Sequence, residues 1–115
     1  MTCGSTPSSK AQSPLAYVTI PFASVPGART AWHSHARGQT LYVVGGVGLV
    51  QSRESEIAEI RRGDIISTPA DEWHWHGAKP TNFMTHLSIT EGMGNNDRPE
   101  ADWGGRVTDR EYRGR

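Results

Sequence analysis

All five histidines of the 115-residue chain, His33, His35, His74, His76 and His86, fall between positions 33 and 86. Four of them form two His-x-His pairs. On a β-strand, residues i and i+2 share a face roughly 7 Å apart, so two imidazoles in that pattern can close on one metal ion. Gln39 follows His35 past an Arg37-Gly38 turn, and its amide oxygen could serve as a further ligand at the start of the next strand. A single histidine on a strand serves as readily as a hydrogen-bonded structural residue. Two pairs on one small β domain favour ligands.

His86 offers a different chemistry. Along residues 82–91, Phe83, Thr85, Leu87 and Ile89 fall on one face, and Met84, His86, Ser88 and Thr90 on the other. The apolar face has to be covered by the opposite sheet or by a second subunit, which leaves the polar face to line a cavity. A neutral imidazole with a pKa near 6.5 suits proton transfer, as acid or base. A surface or structural histidine is the plain alternative. His76 points to the side of His74 and is a candidate for a pocket-rim or acid/base role, with a structural histidine as the plain alternative here too. Trp32, Trp73 and Trp75 alternate with the histidines, which assigns them to packing on the opposite face.

The elements that must position these residues are short. The chain is 35% apolar and contains 13 Gly and 7 Pro, a composition of many turns. Runs rich in Val, Ile, Thr and aromatic residues are spaced too closely for helices between them, which predicts an all-β sandwich or barrel. Strands are expected near 15–20, 30–35, 40–44, 47–53, 56–61, 64–68, 73–78 and 82–91. Gly45-Gly46 is among the separating turns.

Residues 1–14 read as a disordered N-terminal tail, 15–91 as the barrel and 92–115 as a C-terminal extension packing on it. The extension begins loop-like. It ends in a short helix or turn signalled by Thr108 with Glu111 three residues later. Burial of Trp103 and Tyr112 is expected to pin it to the barrel.

Composition also excludes function classes. Twelve Lys and Arg balance twelve Asp and Glu, with no basic cluster to drive phosphate binding, so no nucleic-acid partner is expected. The apolar runs 41–44 and 47–50 fall far short of the ~20 residues that cross a bilayer. No membrane partner is expected, and the protein reads as soluble and cytoplasmic. The single Cys3 forms no internal disulfide.

The spacing of these residues resembles that of the cupin family. Gly27, His33, His35, Gln39 and Gly46 stand at the positions of the first cupin motif, with Gln39 where the motif has Glu. Gly63, Pro69 and His74 match the second motif, with Asp71 at its second Gly and Ala78 at its Asn. Asp tolerates a positive φ, so that turn should survive. The resemblance implies a double-stranded β-helix, the cupin jelly-roll barrel, with a short C-terminal tail. It also implies one divalent transition metal per chain, held by His33, His35, Gln39 and His74. With Gln in place of Glu the ligand set is neutral, which weakens ion affinity but makes the ion a stronger Lewis acid.

From Val25 onward, strings such as PGARTAWHSH, GQTLYVV and ADWGGRVTDREY are similar to bacterial cupins that include the manganese-dependent hydroxynitrile lyases and the carboxymuconolactone-decarboxylase-associated cupins. The resemblance implies manganese, with iron, zinc, nickel, cobalt or copper as alternatives, and a homodimer or higher homo-oligomer. It implies a lyase acting on a small hydroxy or carbonyl substrate, such as a cyanohydrin. His86 corresponds to the acid/base histidine of those lyases, and His76 is the second catalytic candidate. An O2-dependent dioxygenase-type cupin and a non-catalytic metal- or ligand-binding cupin are the alternatives.

Overall fold

A computed structural model describes residues 17–91 and 101–114. The expected N-terminal tail, 1–14, and the start of the extension, 92–100, lie outside the described residues. The elements are β1 (Tyr17–Ser24), β2 (His33–His35), β3 (Gln39–Ser52), β4 (Ala58–Arg61), β5 (Ile65–Thr68), β6 (His74–Ala78), β7 (Met84–Glu91), β8 (Ala101–Trp103) and α1 (Asp109–Tyr112). The strands join in the order β1-β7-β3-β6-β2-β8, with β4 and β5 also paired to β3. Every strand pairing is antiparallel, and the sheet curls into the expected jelly-roll barrel.

The long strand β3 organises the barrel. Its first half pairs with β5 and β7, and its second half with β4 and β6. Gly45-Gly46 was expected to end one strand and begin another; it is instead a bulge inside this 14-residue strand, where the register to β7 shifts between Val43 and Gly45. The reason is steric. Gly46 has φ +76°, and a Cβ there would stand 2.0 Å from the carbonyl oxygen of Phe83. Glycine thus lets the strand bend sharply against β7 without losing its ladder.

Two apolar clusters flank the site. Val43, Val50, Ile60, Ala78 and Met84 form one, joined by Ile66. Trp75, Val107 and Tyr112 form the other, with Trp32, Leu49 and Ile57 against it. On β6 the alternation puts His74 and His76 on one face and Trp75 on the other. Trp75 is fully buried, and its indole N–H donates to Oε1 of Gln51 at 2.8 Å. The second cluster therefore backs the strand that carries two histidines.

The tail departs from expectation in two respects and agrees in another. Residues 101–103 form a strand rather than a loop, and Trp103 is 64% exposed rather than buried. What holds the tail is Tyr112, whose hydroxyl donates to the carbonyl of Ala78, together with Val107. Arg29 adds a third tie: its guanidinium donates to the Val107 carbonyl and to Asp109, and lies 4.3 Å from the centre of the Tyr112 ring. The helix begins at the capping box legible in sequence. Thr108 Oγ1 accepts from the Glu111 N–H at 3.1 Å, and the Glu111 carboxylate accepts from the Thr108 N–H at 2.9 Å.

Candidate metal centre

The two His-x-His strands lie side by side, with His33 directly opposite His74. His33 is the hub: its ring centre is 4.4 Å from that of His74, 5.1 Å from His35 and 5.4 Å from His76. Potential ligand atoms of His33, His74 and His76 all fall within 4.8 Å of one another. His35 is buried in the same cluster, 5.7 Å from His74 between ring centres. His86 continues the row, 5.0 Å from His76.

Backbone carbonyls fix how two of these imidazoles present themselves. Nδ1 of His33 lies 2.8 Å from the carbonyl oxygen of Ala31, and Nδ1 of His74 lies 3.1 Å from that of Glu72. In each case the acceptor is two residues upstream. With Nδ1–H donating to a carbonyl, the neutral ring has its lone pair on Nε2, the atom available to a metal.

Gln39, first residue of β3, completes the arrangement. Its amide nitrogen donates to Ser88 Oγ at 2.5 Å, and its Oε1 lies 3.0 Å from Nε2 of His74. With the His74 proton on Nδ1 two lone pairs oppose one another here, a contact that a cation between them would relieve; with the proton on Nε2 the same contact is a hydrogen bond to the amide oxygen. The donor set, neutral imidazoles and an amide oxygen, suits a first-row divalent cation.

Burial keeps the rings of His33, His74, His76 and His86 neutral. Burial lowers the pKa of His33 to about 4, helped by the nearby His74 and opposed by the hydrogen bond to Ala31. Burial also lowers His74 and His86, and drives His76 well below its ordinary value, with His33 and His86 adding to that shift. Neutral histidine is the form that binds metal or accepts a proton.

The cavity above these groups measures about 320 Å³, and His33, His35, Gln39, His76 and His86 line it. His74 sits fully buried against them. All six residues singled out by sequence therefore meet in one place. Among the described residues no carboxylate lines this cavity, and its one cation, Arg29, is engaged with Asp109. A larger groove of about 950 Å³, between residues 51–57 and the tail, contains no histidine.

Sequence reasoning missed two contributors. Phe22 lies opposite His86 in the β1–β7 register and stacks on its ring at 5.5 Å. Trp103 lies opposite His33 in the β2–β8 register and packs over it at 4.7 Å. No motif marks either residue; each is placed by pairing between distant strands. Ser88, by contrast, was legible from its alternation with His86. His76 matches no motif ligand, yet it joins His33 and His74 in the tightest group.

Comparison with known proteins agrees with this architecture. The model of the Cupin domain family matches residues 22–89. An (R)-mandelonitrile lyase of Granulicella tundricola is 49% identical over 88 residues, which cover 76% of this chain and 65% of that lyase. The chain thus spans less than two thirds of the length of that relative. A cupin-like protein of Thermotoga maritima superposes with a TM-score of 0.80 at 35% identity, over 91% of this chain and 77% of the other. The polyketide cyclase RemF of Streptomyces resistomycificus shares the fold alone, with a TM-score of 0.64 at 22% identity over 80% and 61% of the respective chains. The jelly-roll barrel, the two histidine-bearing strands facing one another and the extent of the family match together make this chain a member of the cupin family.

Proposed function

We propose that the protein is a metal-dependent lyase that cleaves a small cyanohydrin into an aldehyde and hydrogen cyanide. The observation that carries this reading is the pairing of a carboxylate-free donor set with a separate histidine: both ring nitrogens of His86 are buried and have no hydrogen-bond partner among the described residues. The 49% identity to a mandelonitrile lyase supports the choice of reaction. Manganese is the proposed metal, with His33, His35, Gln39 and His74 as its ligands. A divalent cation in that set would supply positive charge to stabilise an oxyanion or cyanide.

The chain's own residues do the rest. His86, kept neutral by burial, accepts the hydroxyl proton of the cyanohydrin. The electron pair of the O–H bond becomes the second carbonyl bond, the C–CN bond breaks, and cyanide leaves with that bond's electrons. His76, between His86 and His33, relays a proton to cyanide. Ser88 holds the Gln39 amide so that its oxygen faces His74. The apolar side chains Ile20 and Phe22 at the mouth keep bulk water from the proton-transfer groups. The reaction consumes no oxidant, so activity is the same in anaerobic buffer.

The working form is proposed to be a homo-oligomer. Tyr42 pairs with both Ile65 and Leu87 on the outer face of the sheet, where Tyr42 and Ile65 are exposed. A second subunit would cover them.

Loading the protein with Mn2+ and following mandelonitrile cleavage tests the proposal. Turnover that disappears on chelation and falls at least about 100-fold in His86→Ala is expected. Bound metal without turnover, or full activity in His86→Ala, overturns it.

A further inference from the structure

Trp103 is a large aromatic residue of the cavity that neither motif nor mechanism uses. Its strand, β8, adds to the free edge of β2, with Trp103 opposite His33, Asp102 opposite Ser34 and Ala101 opposite His35. The backbone of Trp32 extends this tie: its N–H donates to the Gly105 carbonyl at 2.9 Å, and its carbonyl accepts from the Gly104 N–H at 2.7 Å. The strand is therefore anchored on both sides of the indole, while the indole itself remains 64% exposed. An aromatic side chain on an anchored backbone, its ring already packed on His33, incurs little further ordering cost when a ligand covers it.

The rings form a row. Trp103 packs on His33, His33 lies beside His76, His76 beside His86, and His86 against Phe22. Both ends of the row are exposed aromatic side chains lining the cavity, and the imidazoles occupy the middle. A ligand whose polar end reaches the imidazoles can lay its remaining substituent along one of those aromatic ends. The volume of about 320 Å³ is small for a ligand site, so that substituent is compact.

We propose that Trp103 determines substrate specificity, its exposed indole face selecting ligands that carry a flat aromatic group next to the reacting oxygen. The proposal rests on the lyase reading for its reaction, but its recognition step is a binding event and can be read separately. An aromatic substituent gains an offset or edge-to-face contact with the indole that a methyl group does not, worth up to roughly tenfold in affinity.

The test uses the full-length Mn2+-loaded protein, with benzoate and acetate as probes that share a carboxylate and differ in the ring. Calorimetric dissociation constants are compared for the wild type, Trp103→Leu and Trp103→Phe. Leucine keeps apolar bulk on the strand, so the variant folds; matching circular dichroism and melting temperature check this. The wild type should prefer benzoate, Trp103→Leu should lose about tenfold of that preference, and Trp103→Phe should keep most of it. An unchanged preference in Trp103→Leu, an equal loss in Trp103→Phe, or no preference in the wild type overturns the proposal. Cleavage of mandelonitrile against lactonitrile separates the two readings. A wild type that prefers benzoate but cleaves neither cyanohydrin sinks the lyase reading and leaves the specificity role of Trp103 standing.

Discussion

Oε1 of Gln39 and Nε2 of His74 face each other across 3.0 Å, although these residues come from β3 and β6 and both are buried. The orientation of each is set from behind, by Ser88 on the amide and by the Glu72 carbonyl on the imidazole. With the His74 proton on Nδ1 both atoms are acceptors, and a cation between them would relieve their repulsion.

Changing the charge of that pair should change metal retention and reactivity in opposite directions. Gln39→Glu places an anion among the imidazoles, so the protein should hold Mn2+ about tenfold or more tightly in competition with a chelator. The same charge weakens the ion as a Lewis acid, and cyanohydrin cleavage should slow. His74→Ala should remove most bound metal by elemental analysis while the circular dichroism of the barrel persists.

The buried neutral histidines make metal-free stability depend on pH. Their folded pKa values lie below the unfolded value of 6.5, with His33 near 4. Below pH 6.5 the unfolded chain therefore binds protons that the folded chain refuses, and stability falls as pH drops from about 6.5 toward 4. Above about pH 7 these groups contribute no slope. Denaturant titrations of chelator-treated protein across pH 4–8 check the window, and His33→Gln should reduce the slope across it.

Tyr112 joins the C-terminal helix to the back of the histidine strand, through its hydrogen bond to Ala78 and its contact with Trp75 at 5.7 Å. Tyr112→Phe should cost about 1 kcal/mol by removing the hydrogen bond alone. Tyr112→Ala should cost about 3–5 kcal/mol by opening a cavity behind Trp75. Urea midpoints measure both. Loss of metal affinity in Tyr112→Ala, with affinity kept in Tyr112→Phe, would show that this packing also positions His74 and His76.

Exposed Ile65 provides the test of assembly. Ile65→Arg puts a charge on the outer sheet face beside Tyr42; the wild type should scatter light as the proposed homo-oligomer and the variant as a monomer, with little change in the fold.

The strand character of the chain, the inward face of His86 and the two His-x-His half-sites were legible from local order, because side-chain direction on a strand alternates and needs no distant partner. The Thr108–Glu111 capping box was legible for the same reason, as was the turn at Asp71, whose φ of 65° is one that aspartate tolerates. Tertiary structure decided what local order cannot carry. It set His33 opposite His74, made Gly45-Gly46 a bulge inside one strand, drew His76 into the tightest group, and brought β8 to the edge of β2 so that Trp103 covers His33. Register between strands far apart in the chain follows from which pairing buries the most side chains after the loops have closed. That sum runs over the whole barrel, so no single stretch of residues records it.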